Sequence, residues 1–161
     1  MMKSIKVGMA DLAATSSPGK LITLGLGSCV GIVLYDKFKK VAGLAHIMLP
    51  SSLEIKNNSN KAKFADTAID ILIEEMLSLG ARKRSISAKI AGGSQMFSFN
   101  TKNDVLKIGA RNVKATKEKL QSCNIPIISA DTGGNYGRTI EINSEDGSLL
   151  VKTIGHGTKV I

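Results

Sequence analysis

Two hydrophobic periods divide this chain. Residues 3–9 alternate weakly between polar and apolar positions and predict a first strand, and the Thr-Ser-Ser-Pro-Gly cluster at 15–19 predicts a turn after it. Residues 23–31 form a glycine-rich extended run. Beyond it, 30–35 is apolar and β-branched, 36–40 is polar, and 41–49 is apolar again, which predicts a β-hairpin closed by Pro50. A polar, asparagine-rich segment at 51–63 reads as a loop. From 61 to 79 the period changes to 3.6. Ala65, Ile69, Leu72, Met76 and Leu79 make one stripe and Asp66, Asp70 and Glu74 another, so a helix is expected. Gly80 is placed to cap it, and Arg82, Lys83 and Arg84 suit the negative end of its dipole.

Residues 85–91 predict a strand ended by Gly92 and Gly93. The segment 94–100 places Met96, Phe97 and Phe99 in a loop-like context, where packing into the core is the expected outcome and a docking loop the alternative. A second helix is expected over 109–122, with Ala110, Val113, Thr116, Lys117 and Leu120 on one side and Cys123, a small buried residue, at its end. Residues 125–130 read as a buried strand and 131–135 as a glycine loop, whose amides could face an anion or simply make a tight turn. Residues 138–142 and 148–154 pair as a final hairpin around 145–147. Strands alternating with two helices, joined by short hairpins, predict a single α+β domain over 1–161 with helices covering mostly antiparallel sheet.

The candidate chemistry lies in the glycine-rich run. If 23–29 is one strand, Thr23, Gly25, Gly27 and Cys29 share a face that is bare between a hydroxyl and a thiol. Glycines weaken a strand unless something must approach closely, so an open floor for a substrate is expected there. In the return arm His46 is the one polar side chain among apolar neighbours, and hairpin pairing brings it back towards Cys29. Taken alone, a buried inert cysteine and a satisfied core histidine explain these residues at least as well as a reacting pair. His156, between Gly155 and Gly157 near the tail, is a poorer mount for a base. Gly27-Ser28-Cys29 is not a serine-hydrolase elbow, and neither a dinucleotide fingerprint nor a P-loop is present.

Composition narrows the field. The net charge is +9, from 22 lysines and arginines against 13 acids, and only Arg82, Arg84, Arg111 and Arg138 are arginines. With few arginines, few aromatics and no tryptophan, a nucleic-acid reader is not expected, whereas an acidic protein partner is compatible with the basic surface. No apolar run reaches membrane-spanning length and the N-terminal residues lack a signal-peptide core, so a cytoplasmic protein without membrane insertion is expected. In that compartment Cys29 and Cys123 are free thiols. The acids Asp66, Asp70 and Glu74, four apart, are ordinary for a solvated helix face, so neither metal nor cofactor is expected.

The segments TLGLGSCV at 23–30, GLAHIMLP at 43–50, AKIAGG at 88–93, IGARNV at 108–113 and DTGGN at 131–135 resemble, in this order, the CheD family of chemoreceptor glutamine deamidases. The resemblance covers nearly the whole chain. It implies a layered αββ sandwich, a Cys, His and Thr triad at Cys29, His46 and Thr23, methyl-accepting chemoreceptors as substrate, and a CheC-type phosphatase as partner. Cys29 would attack a glutamine carboxamide, His46 would move the protons, and Thr23 would orient the imidazole. By analogy with other acyl-transfer sites, backbone amides at Gly27 and Ser28, and around Cys29, are the expected oxyanion donors. Arg111 and Asn112 match the family's pattern, but a helix start uses such residues too, and no catalytic role is expected of them.

Overall fold

A computed structural model describes residues 2–95 and 107–161. Its strands form two five-stranded sheets. In one, the order is β1 (Lys3–Lys6), β3 (Gly19–Leu26), β8 (Arg138–Asn143), β9 (Leu149–Thr153) and β10 (Gly157–Val160). In the other it is β2 (Leu12–Ser16), β5 (Val41–Ile47), β4 (Val30–Asp36), β6 (Ile86–Gly92) and β7 (Ile127–Thr132). The pairs β1–β3 and β6–β7 are parallel and the others antiparallel. Helices α1 (Ala65–Ser78) and α2 (Ile108–Ser122) cover the second sheet.

Side-chain alternation explains the layering. Val30, Ile32 and Leu34 of β4 pack in one cluster with Ile69, Leu72 and Met76 of α1, while Val33 and Tyr35 pack in another with Leu21, Ile140 and Ile142 from the first sheet. The centre of the second sheet is therefore buried on both faces, with β4 and β5 buried at every position, while the edge strands β2 and β7 are only partly buried, which corrects the buried strand expected at 125–130. The result is the expected αββ sandwich. Gly43 lets α1 close on β5, since a Cβ there would lie 2.8 Å from a Leu72 methyl and 2.9 Å from the Met76 sulfur.

The β4–β5 hairpin, both helices and the β8–β9 hairpin agree with expectation. Gly80 adopts φ +101 beyond the end of α1, and Ala81 N–H closes back on Met76 O at 3.1 Å. Five further expectations need correction. The first strand stops at Lys6, and the presumed turn at 15–19 is split between β2 and β3. β10 was not foreseen, because glycines at 155 and 157 mask a hairpin turn as a loose tail. Leu79 is exposed. The buried face of α2 is Gly109, Asn112, Thr116 and Leu120, so Ala110 and Lys117 point outward. A helix this polar has too few apolar residues to fix its rotation by pattern. The expectation for Met96, Phe97 and Phe99 falls outside the described residues.

Candidate active site

The glycine-rich run is not one strand. The β3–β8 ladder slips between Thr23 and Leu26, and Gly25 takes φ +70, so Thr23 and Leu26 both point inward while Leu24 and Gly25 are exposed. The chain then bends at Gly27-Ser28-Cys29 and enters the other sheet as β4. Uniform alternation from Thr23 to Cys29 is therefore overturned, but the bulge and the bend still place both residues in the layer between the sheets. A Cβ on Gly25 would meet nothing within 4 Å, but this open space lies on the exposed side of the bulge, away from the inward-facing Thr23 and Cys29, so the bare floor expected between hydroxyl and thiol on one strand face is not formed.

His46 stands opposite Gly31 across the β4–β5 ladder, two residues beyond Cys29. Its imidazole faces the first sheet and lies 2.7 Å through Nδ1 from Thr23 Oγ1. The same hydroxyl is 2.7 Å from Val7 O, which can only accept. A hydroxyl has one proton, so Thr23 donates to Val7 and must accept from Nδ1–H. The contact thus selects the tautomer with the lone pair on Nε2. That Nε2 is buried and has no hydrogen-bond partner among the described residues. Thr23 and His46 are 0% and 1% exposed, and burial lowers the histidine from its ordinary 6.5, which keeps the ring neutral.

Cys29 is 7% exposed, and burial raises its thiol, with its own backbone amide partly opposing the rise. The resting pair is therefore a neutral thiol and a neutral imidazole. The bend beneath the thiol is held at every carbonyl. Ser94 N–H donates to Gly27 O at 2.9 Å, Asn112 Nδ2 to Ser28 O at 2.9 Å, and Gly93 N–H to Cys29 O at 2.8 Å. Gly92 is required for this approach: its φ is +109, and a Cβ would lie 2.3 Å from Cys29 O. Gly27 N–H donates to Gly25 O at 3.1 Å, whereas the N–H groups of Ser28 and Cys29 donate to no other described residue, that of Cys29 lying beside its own thiol. Of the expected oxyanion donors, Gly27 thus spends its amide on Gly25, while Ser28 and Cys29 do not spend theirs on any other described residue.

Other candidates find structural employment. Asp66 accepts from Ser52 N and Oγ, and Asp70 pairs with Lys119 at 2.9 Å. Among the described residues no group of three or more His, Cys, Asp and Glu side chains is gathered for a metal. Gly133 N–H donates to Gly92 O, so the glycine loop uses that amide internally. His156 sits in the β9–β10 turn with its ring centroid 4.3 Å from that of Tyr136. Buried Arg138 donates to Ser94 Oγ at 2.8 Å and lies 3.3 Å from Asp131. A groove of about 670 Å3 lined by Arg82, Lys83, Arg84, Cys123 and Asn124 lies at the other end of the second sheet, where Asp36 accepts from Arg82 N. Ser94 was not singled out in the sequence, and Asn112 was named as matching the family's pattern but given no role. Their only signal was membership of the quoted segments or their immediate neighbourhood.

No helix among the described residues is long and apolar enough to cross a membrane. The chain matches the family model described as CheD chemotactic sensory transduction over residues 48–153, a span that begins just past His46. Relatives extend the likeness through the site. The probable chemoreceptor glutamine deamidase CheD of Caldanaerobacter subterraneus subsp. tengcongensis is 65% identical over 99% of this chain and 98% of its own length. That of Lachnoclostridium phytofermentans is 60% identical over 100% of both. The chemoreceptor glutamine deamidase CheD of Halalkalibacterium halodurans is 54% identical over 98% of each. Among solved structures, the hypothetical protein YfiH of Bacillus licheniformis is similar over 78% of this chain and 51% of its own, about half its length, with TM-score 0.49 and 17% identity. Full-length identity at this level, joined to the family-model match, settles the kinship: the chain belongs to the CheD family.

Proposed function

We propose that the protein is a thiol-dependent amidohydrolase that converts glutamine side chains on the cytoplasmic part of methyl-accepting chemoreceptors to glutamate. The relatives' names supply the substrate class. The observation that carries the chemistry is the Thr23–His46 contact, which leaves the His46 Nε2 lone pair without a partner in the layer that also holds the Cys29 thiol.

His46 Nε2 takes the Cys29 proton, and the thiolate attacks the carboxamide carbon. The oxygen that becomes negative is met by the amides of Ser28 and Cys29. The imidazolium returns its proton to the nitrogen, which leaves as ammonia, and a thioester remains on Cys29. Nε2 then deprotonates a water that attacks the thioester, and the proton passes to the departing sulfur. The net change is one water consumed and one ammonia released per glutamine. Thr23 keeps the ring in the required tautomer throughout without adding a charge.

The test is peptide mass spectrometry of a receptor cytoplasmic fragment incubated with the wild-type protein or with Cys29→Ala. Conversion of particular glutamines by wild type alone is the expected result. Release of methanol from esterified receptor in place of ammonia would make it a methylesterase using the same residues. Binding without any change would leave a non-enzymatic adaptor. The family resemblance also makes a CheC-type phosphatase the expected regulatory partner, which co-purification of the two proteins would check.

A further inference from the structure

Among the groups that hold the Cys29 bend, Asn112 differs from the rest. Gly27 O and Cys29 O are met by backbone amides of Ser94 and Gly93, but Ser28 O is met by a side chain brought in by a helix. Asn112 is 0% exposed, and the same Nδ2 also donates to Met48 O at 2.9 Å. Both partners are carbonyls, so the amide orientation follows from chemistry: the reverse would aim Oδ1 at two acceptors. Oδ1 itself is buried without a partner among the described residues. Burying a carbonyl oxygen without a partner is destabilising, so the residue stands there at a cost that the two bonds of its Nδ2 must offset.

The two acceptors lie on the two reacting segments. Ser28 O belongs to the peptide whose other end is the Cys29 N–H, and Met48 is two residues past His46. A trans peptide points its C=O and N–H in opposite directions, so holding Ser28 O towards α2 turns the Cys29 N–H away from it. One side chain thus sets the angle of that amide and ties the nucleophile's bend to the end of the base's strand. The tight seat of α2 supports the arrangement, because a Cβ on Gly109 would lie 2.3 Å from Ser94 O.

We infer that Asn112 is a positioning residue for the Cys29 reaction, orienting the Ser28–Cys29 peptide as an oxyanion donor and fixing the register between Cys29 and His46. This rests on the reading of Cys29 and His46 as the reacting pair. It acts through the backbone and touches no substrate.

The test uses the full chain with Asn112→Ala, and with the near-isosteric Asn112→Asp in case the alanine variant does not fold. Two readouts are taken well below each variant's melting temperature. The first is kcat and KM for deamidation of the receptor fragment. The second, which needs no substrate, is the iodoacetamide alkylation rate of Cys29 relative to that of Cys123, the other free thiol, on the far end of α2. The expected result is a kcat lower by about 100-fold with KM within about threefold, and Cys29 alkylation several-fold faster while Cys123 is unchanged, as the bend loosens locally. Equal acceleration at both cysteines would mean general destabilisation and overturn the inference. So would a wild-type alkylation ratio, or an unchanged kcat. If wild type itself does not deamidate, the proposed function fails, and the alkylation ratio still decides whether Asn112 holds the bend.

Discussion

At the scale of single residues, the site depends on one hydroxyl proton. Thr23 donates it to Val7 O and so must accept from His46 Nδ1, both at 2.7 Å. Thr23→Val keeps the shape and removes the hydroxyl. It leaves Val7 O and the Nδ1–H unsatisfied in a buried layer, at a cost of about 1–3 kcal/mol. It also frees the ring to take the unproductive tautomer, so kcat is expected to fall roughly 10- to 100-fold. Thr23→Ser retains the hydroxyl and is expected within a few-fold of wild type. Steady-state kinetics on the receptor fragment checks both, and a valine variant with wild-type kcat would remove Thr23 from the mechanism. Cys29, His46 and Thr23 were legible because their residue types are uncommon in an apolar run and fall inside a family motif. Asn112 was noticed as part of a family motif but its inward orientation was not legible, because a polar residue in the first turns of a polar helix looks the same in sequence whether it faces solvent or the core.

At the scale of elements, the end of β6 is as much part of the site as β3. Gly92 takes φ +109, and a Cβ there would meet the backbone of Cys29 at 2.3 Å, a contact no rotamer change relieves. Gly25 also has positive φ, but open space surrounds it. Gly92→Ala is therefore expected to cost more than the about 1–3 kcal/mol of backbone strain alone and to abolish activity, while Gly25→Ala bears only the milder strain. Urea unfolding of the two variants measures the difference, and equal losses would show that the close approach carries no energy. The hairpins and α1 were readable from period and turn chemistry. β2 and β10 were hidden, since each is short and edges a cluster of turn residues, and their strand conformation comes from partners distant in sequence: β5 for one, β9 for the other.

At the scale of the whole molecule, burial between the sheets sets the pH response. His46 is held below 6.5 in the folded state, so the unfolded chain binds the extra proton more readily. The stability tied to the neutral ring is present above about pH 6.5 and is lost as pH falls from there through the depressed value, no faster than about 1.4 kcal/mol per pH unit. Wild type is thus expected to lose melting temperature more steeply than His46→Gln between pH 7 and 5. Parallel curves would contradict a neutral buried ring. Cys29 is raised above its ordinary 9.0, so kcat/KM is expected to climb from pH 6 to 9, with no acid-side optimum of the kind a preformed thiolate–imidazolium pair would give. A pH–rate profile on the receptor fragment distinguishes the two.

By itself the sequence determined most element types, the hairpin that carries His46, and the candidates proposed as the reacting groups, because these rest on local periodicity, turn chemistry and a compact motif. Only the tertiary structure decided that the glycine-rich run breaks across two sheets, which amides of the bend donate to no other described residue, and that Asn112 faces inward. Each of those depends on contacts between segments far apart in the chain: Ser94 with Gly27, Asn112 with Ser28 and Met48, Gly92 with Cys29. A hydrophobic pattern encodes which face of an element is buried, but not which distant backbone carbonyl a buried side chain will meet.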